Sequence, residues 1–156
     1  HSPSRRQRQM CIRDSSILES FGVKYTKNVM SAHRTPHDVM DLIKKSEENG
    51  CKVFIAAAGM AAHLAGAVAA HSTKPVIGIP IESGGMGGID SLLSTAMMPP
   101  GVPVATVAVG KSGAKNSAIL AVQILATSDD ELAQKLKDYK SNMREEVLEK
   151  DKKLNS

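Results

Sequence analysis

Short apolar segments alternate with helical segments along most of the chain, and this alternation limits the possible folds more than any other feature. The run 75–79 has no charged residue, and the runs 52–57 and 104–109 hold at most one. Strands that are apolar on both faces are typical of parallel sheets with helices on either side. The sequence therefore predicts right-handed βαβ units that build a three-layer α/β domain.

Helix-starting and helix-stopping residues set the boundaries of these elements. Gly22 ends an amphipathic helix, and Thr35-Pro36 starts the next one, because proline suits the first helical turn. After Asp129-Asp130 apolar residues recur every three or four positions, which predicts a long capped helix. The complete prediction contains strands at 23–29, 52–57, 75–79 and 104–109, helices at 36–48, 61–70 and 112–126, a short helix capped by Asp90-Ser91, a Gly-rich loop at 82–88 and a frayed tail at 151–156.

The core has to be aliphatic, because the 156 residues include two Phe, two Tyr and no Trp. Length and a hydrophobic fraction of 42% suit one folded domain. So few aromatic rings argue against base stacking on single-stranded nucleic acid. The net charge of +4 is concentrated outside the domain, since +3 of it lies in residues 1–15. We therefore predict no nucleic-acid partner.

Residues 1–14 differ in composition from the rest of the chain. They are rich in arginine and show no apolar periodicity. A transit peptide or a basic arm would have this composition, but we interpret the segment as aberrant or foreign sequence that precedes a domain at 15–150.

Two further features bear on where in the cell the protein is located. Cys11 and Cys51 form neither a disulfide framework nor a CxxC metal pair, which fits a reducing cytoplasm. The stretch 53–70 is long enough to cross a membrane, but it is alanine-rich and interrupted by His63 and two glycines. It predicts a buried strand followed by a helix, and no membrane partner.

The loop after the first predicted strand carries the most chemistry. In parallel α/β sheets ligands bind at the carboxyl ends of strands. Here Ser31, His33 and Arg34 precede a helix N-terminus. Arginine and helix amides suit a phosphate, and histidine can both donate and accept a proton near neutral pH. A surface turn with Thr35 as N-cap and His33 as a solvated ring explains the same residues, so position alone does not decide between a ligand-binding loop and a surface turn.

The loop after the second predicted strand is made of small residues. Residues 56–62 are alanines interrupted by Gly59 and Met60, and small side chains let a ligand approach the backbone. Tight packing of helix on sheet explains the same pattern, and on residue type alone we interpret His63 as a structural ring. The sequence has no Walker A or GxGxxG motif, no GxSxG elbow for a serine hydrolase triad, and no HExxH-like spacing for a metal.

Six motifs together resemble one family. They are SAHRTP (31–36), AAHLAG (61–66), PVIGIPI (75–81), GGIDSLLS (87–94), MPPGVPVATVAVG (98–110) and GAKNSAILAVQILA (113–126). Over about residues 15–150 they are similar, in order and spacing, to class I carboxyaminoimidazole ribonucleotide mutase, the PurE family of purine biosynthesis. The AAHL form resembles the mutase class more than the carboxylase class.

The resemblance implies an octamer of flavodoxin-like subunits with active sites at subunit junctions. The implied reaction interconverts N-carboxyaminoimidazole ribonucleotide and 4-carboxy-5-aminoimidazole ribonucleotide, by decarboxylation and recarboxylation, without ATP, metal or biotin. The family's catalytic histidine falls on His33, and its substrate contacts on Ser31 and Arg34. A segment that holds released carbon dioxide, and so contributes to substrate binding, comprises Ala58, Gly59, Ala61, Ala62, His63 and Leu64.

The N-terminus departs from the family pattern. Family members begin with an apolar strand and a Gly-Ser-x-Ser-Asp loop, and residues 1–14 contain neither. We therefore expect the family's first central strand to be missing, residues 1–14 to lie outside the sheet, or 23–29 to be displaced from 52–57. The alternative function is a non-catalytic homologue that binds a nucleotide or only assembles.

Overall fold

The computed structural model describes residues 15–156. Helices and strands alternate over this range, as the apolar pattern predicts. In chain order the elements are helix α1 (residues 15–20), α2 (Pro36–Glu48), strand β1 (Phe54–Gly59), α3 (Leu64–His71), β2 (Val76–Ile81), α4 (Ile89–Ala96), β3 (Ala105–Thr106), α5 (Lys111–Ala126) and α6 (Asp130–Leu154).

The three described strands form a parallel sheet in the order β1-β2-β3. Phe54 pairs with Val76 at one end of the β1–β2 ladder and Gly59 pairs with Ile81 at the other. β2 is buried along its whole length. The strand is therefore covered on both faces, as its continuous apolar sequence predicts.

Alternate residues of β2 face two different helical layers. Ile77 packs in a cluster with residues of α1, α5 and α6, and Ile79 packs with Ala114 of α5. On the opposite face Val76 joins a cluster built from α2, α3 and β1. A Cβ atom built on Gly78 would meet Thr95 of α4, so α4 lies on this second face as well. The fold is a three-layer α/β domain, which confirms the predicted class.

Several predicted boundaries are confirmed. Pro36 occupies the first turn of α2, and Asn49 caps the end of that helix. Gly22 and Gly50 both adopt positive φ after a helix, a conformation that glycine reaches without steric cost. The Asp129 side chain accepts a hydrogen bond of 3.1 Å from the Leu132 amide, as expected of an N-cap.

Two of the predicted strands differ from those in the described structure. No ladder within residues 15–156 includes 23–29, and Val29 is 64% exposed, although Val23 and Tyr25 pack against the core. The strand at 104–109 shrinks to Ala105–Thr106. Beyond it only irregular hydrogen bonds reach β2, such as the one that the Gly110 amide donates to the Pro80 carbonyl.

Two helix ends also differ from the prediction. α4 begins after Gly88, so Asp90 and Ser91 lie inside its first turn and do not cap it. The Ser91 hydroxyl instead donates inward, to the carbonyls of Ile81 and Gly88. The tail predicted to fray from residue 151 is helical to Leu154, where a Glu149–Lys153 ion pair of 3.1 Å spans one turn.

The predictions for residues 1–14, including the missing first strand, lie outside the described residues. Cys51 is half-buried, its thiol donates to the Val53 carbonyl, and burial raises the pKa of that thiol. None of the helices in the described range is long and apolar enough to cross a membrane.

Gly78 tests how tightly the α3–α4 layer packs on β2. A Cβ atom there would lie 2.9 Å from the Val104 side chain, 3.3 Å from Ala65 and closer still to Thr95. We expect Gly78→Ala to lower the free energy of unfolding by about 1–3 kcal/mol, because neighbouring side chains and backbone must shift. Urea unfolding measures the change. Gly85→Ala is the matched control, since a Cβ atom on Gly85 meets nothing within 4 Å. Equal stabilities for the two variants would contradict the packing.

Candidate active site

Two of the connections that follow the strands converge at the carboxyl edge of the sheet. β1 ends at Gly59 directly beside the end of β2. The 60–63 turn follows β1, and the Gly-rich 82–88 loop follows β2. A Cβ atom on Gly59 would overlap the Ser83 side chain. Glycine is therefore required where these two loops touch.

The 31–35 turn is held by the Thr35 side chain. The Thr35 hydroxyl oxygen accepts from the Ser31 amide at 2.9 Å and lies 3.0 Å from the Ser31 carbonyl, to which it donates. The Ser31 hydroxyl accepts from the Arg34 amide at 3.2 Å. Thr35 occupies the N-cap position of α2, as predicted, but its side chain makes no capping bond because it is bound to Ser31. This turn presents His33 and Arg34 to solvent.

His33 meets His63 across the two loops. Their Nε2 and Nδ1 atoms are 2.7 Å apart, a hydrogen-bond distance, and the two rings meet edge to face. One nitrogen must donate and the other accept, so a single hydrogen lies between these two nitrogens. Two imidazolium rings would direct donor against donor here. The hydrogen bond therefore joins the 31–35 turn to the 60–63 turn.

On residue type alone His63 is predicted to be a structural ring. In the structure it is exposed at the N-cap position of α3 and is hydrogen-bonded to His33. The helix itself is apolar and packs on the sheet, but its N-cap residue His63 is exposed. The separation of 30 positions between His33 and His63 hides this contact from any local sequence pattern.

The other predicted site residues are distributed along the same edge. Ala58 and Gly59 end β1 and are half-buried. Ala61 is exposed, Ala62 is 2% exposed, and Leu64 begins α3. Ser31 and Arg34 lie on the facing turn, and the described part of the chain offers the Arg34 guanidinium no ion pair. The His33–His63 contact brings together the two loops that carry these residues.

Sequence reasoning missed Ser94. The Ser94 hydroxyl oxygen lies on α4 and accepts a hydrogen bond of 2.9 Å from the Ala62 amide. It therefore contacts the turn that carries His63. A serine inside a short helix gives no signal of this role, because the partner residue is 32 positions away.

The edge is open in the single chain. His33, Arg34, Ala61 and His63 are all exposed, so the described residues line a surface and do not form the closed pocket that the family resemblance implies. Two grooves of about 620 and 700 Å³ lie elsewhere, between α5 and α6 and beside Gly22. No three His, Cys, Asp or Glu side chains within 15–156 are grouped to hold a metal ion.

Comparison with known proteins identifies relatives over nearly the whole chain. A family model described as AIR carboxylase matches residues 3–146, a range that starts inside the segment 1–14. N5-carboxyaminoimidazole ribonucleotide mutase of Bacillus subtilis is 50% identical over 133 residues, which cover 85% of this chain and 82% of that protein. The enzyme of the same name from Saccharolobus solfataricus is 53% identical over 132 residues, which cover 85% of this chain and 82% of that protein.

A solved structure agrees with these relatives. The crystal structure of Treponema denticola PurE superposes with a TM-score of 0.88 at 29% identity, and the match covers 98% of this chain and 94% of that one. The residues that the family model matches include the SAHRTP turn, the AAHL segment and the three described strands. The chain therefore belongs to the AIR carboxylase family.

Proposed function

We propose that the chain is an isomerase of purine biosynthesis that converts N-carboxyaminoimidazole ribonucleotide into 4-carboxy-5-aminoimidazole ribonucleotide. The observation that carries the proposal is the hydrogen-bonded His33–His63 pair beside Arg34, to which residues 15–156 offer no ion pair. Relatives with about half of their residues identical bear the name of this mutase. The free thiol of Cys51 supports a reducing compartment, the cytoplasm, as its location.

The proposed reaction needs one proton that is given and then taken back. Loss of carbon dioxide from the exocyclic nitrogen leaves that nitrogen to be protonated. Attack of the ring carbon on the carbon dioxide then forms the new carbon–carbon bond and releases the proton from that carbon. The proton balance is zero, so one histidine that acts first as acid and then as base is sufficient.

His33 is the proposed acid and base. Its Nε2 atom is engaged by His63, so Nδ1 is the nitrogen available to substrate. His63 holds the His33 ring in one orientation through this hydrogen bond. Arg34 provides a planar, permanently charged fork for the ribonucleotide phosphate, with Ser31 as a further contact. Ala58, Gly59, Ala61, Ala62 and Leu64 would line the space in which carbon dioxide waits.

Assembly would close the site. Carbon dioxide has to be retained between the two steps, and the edge of a single chain is open. Exposed apolar residues of the chain include Met60, Met86, Ile89, Leu93 and Met97 beside this edge, and Met143, Val147, Leu148 and Leu154 on α6. Apolar side chains this exposed favour contact with other subunits, and we propose a homo-octamer.

Replacing the proposed acid–base group should abolish turnover and spare binding. We expect His33→Asn to lower kcat by about a thousandfold or more, since general acid–base catalysis contributes roughly 10²–10⁴-fold and both half-reactions use this group. Ligand affinity should change little, because the charge of Arg34 is kept. Isotope exchange between labelled carbon dioxide and product, together with calorimetric titration of the nucleotide, measures both effects.

The control is His37→Asn, which changes an exposed histidine in the first turn of α2 and should leave kcat unaltered. Activity of His33→Asn within threefold of the unaltered chain would reject the assignment. An unaltered chain that binds the nucleotide but never turns it over would establish the non-catalytic alternative.

The α6 helix should contribute to the proposed assembly. Met143 and Val147 lie one turn apart on one face and are 41% and 65% exposed. We expect the double change Met143→Glu and Val147→Glu to shift sedimentation velocity to smaller species, because carboxylates would replace apolar contacts. Ser141→Glu places one charge on the opposite face of the same helix and should not. An unchanged assembly in the double variant would place the subunit contacts elsewhere.

A further inference from the structure

We propose that Ser94 is a positioning residue that holds the His33–His63 pair in register. The inference rests on the proposed role of that pair in proton transfer. Ser94 is on α4 and touches neither histidine in the described structure. Its hydroxyl lies instead against the 60–62 turn, directly before His63.

The Ser94 hydroxyl connects α4 to that turn at two points. Its oxygen accepts from the Ala62 amide at 2.9 Å and lies 3.1 Å from the Met60 carbonyl. The same oxygen is 2.8 Å from the Asp90 carbonyl one helical turn earlier. Because a hydroxyl has one proton and two lone pairs, it can donate to a carbonyl and still accept from Ala62. The helix orients the hydroxyl, and the hydroxyl orients the turn.

The turn needs such an external partner. Met60 adopts a φ of 55°, which costs energy for a residue with a Cβ atom. Ala62 is 2% exposed, so water has little access to its amide if Ser94 no longer accepts from it. A buried amide without an acceptor favours a different backbone path. His63 is the next residue, and any change of path moves its ring relative to His33.

Neighbouring serines on the same and the next helix have different roles. Ser91, one turn earlier on α4, is fully buried and binds the Ile81 and Gly88 carbonyls. Ser117 on α5 is fully buried and donates to the Ala114 carbonyl within its own helix. Ser117→Ala therefore removes a buried hydroxyl bond without touching the 60–62 turn, and it is the matched control.

The test uses the full chain labelled with ¹⁵N-histidine and ¹⁵N-alanine. A hydrogen bond between two ring nitrogens transmits scalar coupling, so the unaltered chain should show coupling between His33 Nε2 and His63 Nδ1. Ser94→Ala should lose this coupling, and exchange of the Ala62 amide should accelerate about tenfold or more as its acceptor disappears. Under the proposed function kcat should fall about tenfold, with KM within about twofold. Ser117→Ala should keep both the coupling and kcat.

The outcomes separate the two proposals. Coupling that survives in Ser94→Ala overturns the positioning role. The role is also overturned if the Ala62 amide exchanges at its unprotected rate in the unaltered chain, and this second measurement needs no variant. Coupling that is lost in Ser94→Ala in a protein without mutase activity supports the positioning role and rejects only the proposed function.

Discussion

The rest of the structure depends on the burial of strand β2 between two helical layers and two strands. All six residues from Val76 to Ile81 are buried, and Ile77 has no exposed surface. A strand in this position cannot satisfy its backbone groups with water, so it requires a ladder on each side. It also has no polar face, so it requires a helical layer on each side. The sequence meets the second requirement with three isoleucines on one face and with Val76 and Gly78 on the other.

The position of β2 fixes the chemistry at its carboxyl end. Gly59 and Ile81 are paired, so the turns that leave β1 and β2 begin side by side. Helix α4 is then bound twice along its own length. Ser91 ties it to the end of β2 through the Ile81 carbonyl, and Ser94 ties it to the turn after β1 through the Ala62 amide. A short helix with two serines three residues apart thus sets the distance between the sheet and the residue before His63.

Features that depend on local composition were predictable from the sequence, and features that depend on distant partners were not. The apolar run of β2, Pro36 at the start of α2 and the Asp129 cap each carry their signal within a few residues. The residues of the 60–63 turn could also be placed at the carboxyl edge, because they follow the apolar strand β1. The His33–His63 contact and the Ser94 bond link residues about thirty positions apart, and no periodicity records them. The segment 23–29 alternates like a strand, but no strand within residues 15–156 pairs with it, and alternation does not indicate which strand would.

The two requirements of the proposed reaction fall on different parts of the molecule. Moving a proton out and back needs only groups on the loops of one chain, because His33 and His63 already share a hydrogen bond there. That step tolerates an open edge, since no proton has to be exchanged with solvent in a complete turnover. Holding carbon dioxide needs a closed volume, and the exposed ring edges of the histidines cannot provide it. The exposed side chains of Met60, Ile89 and Leu93 frame this edge with apolar surface that contact with another subunit would bury. Closure by assembly would therefore complete the site without changing the residues that carry the proton.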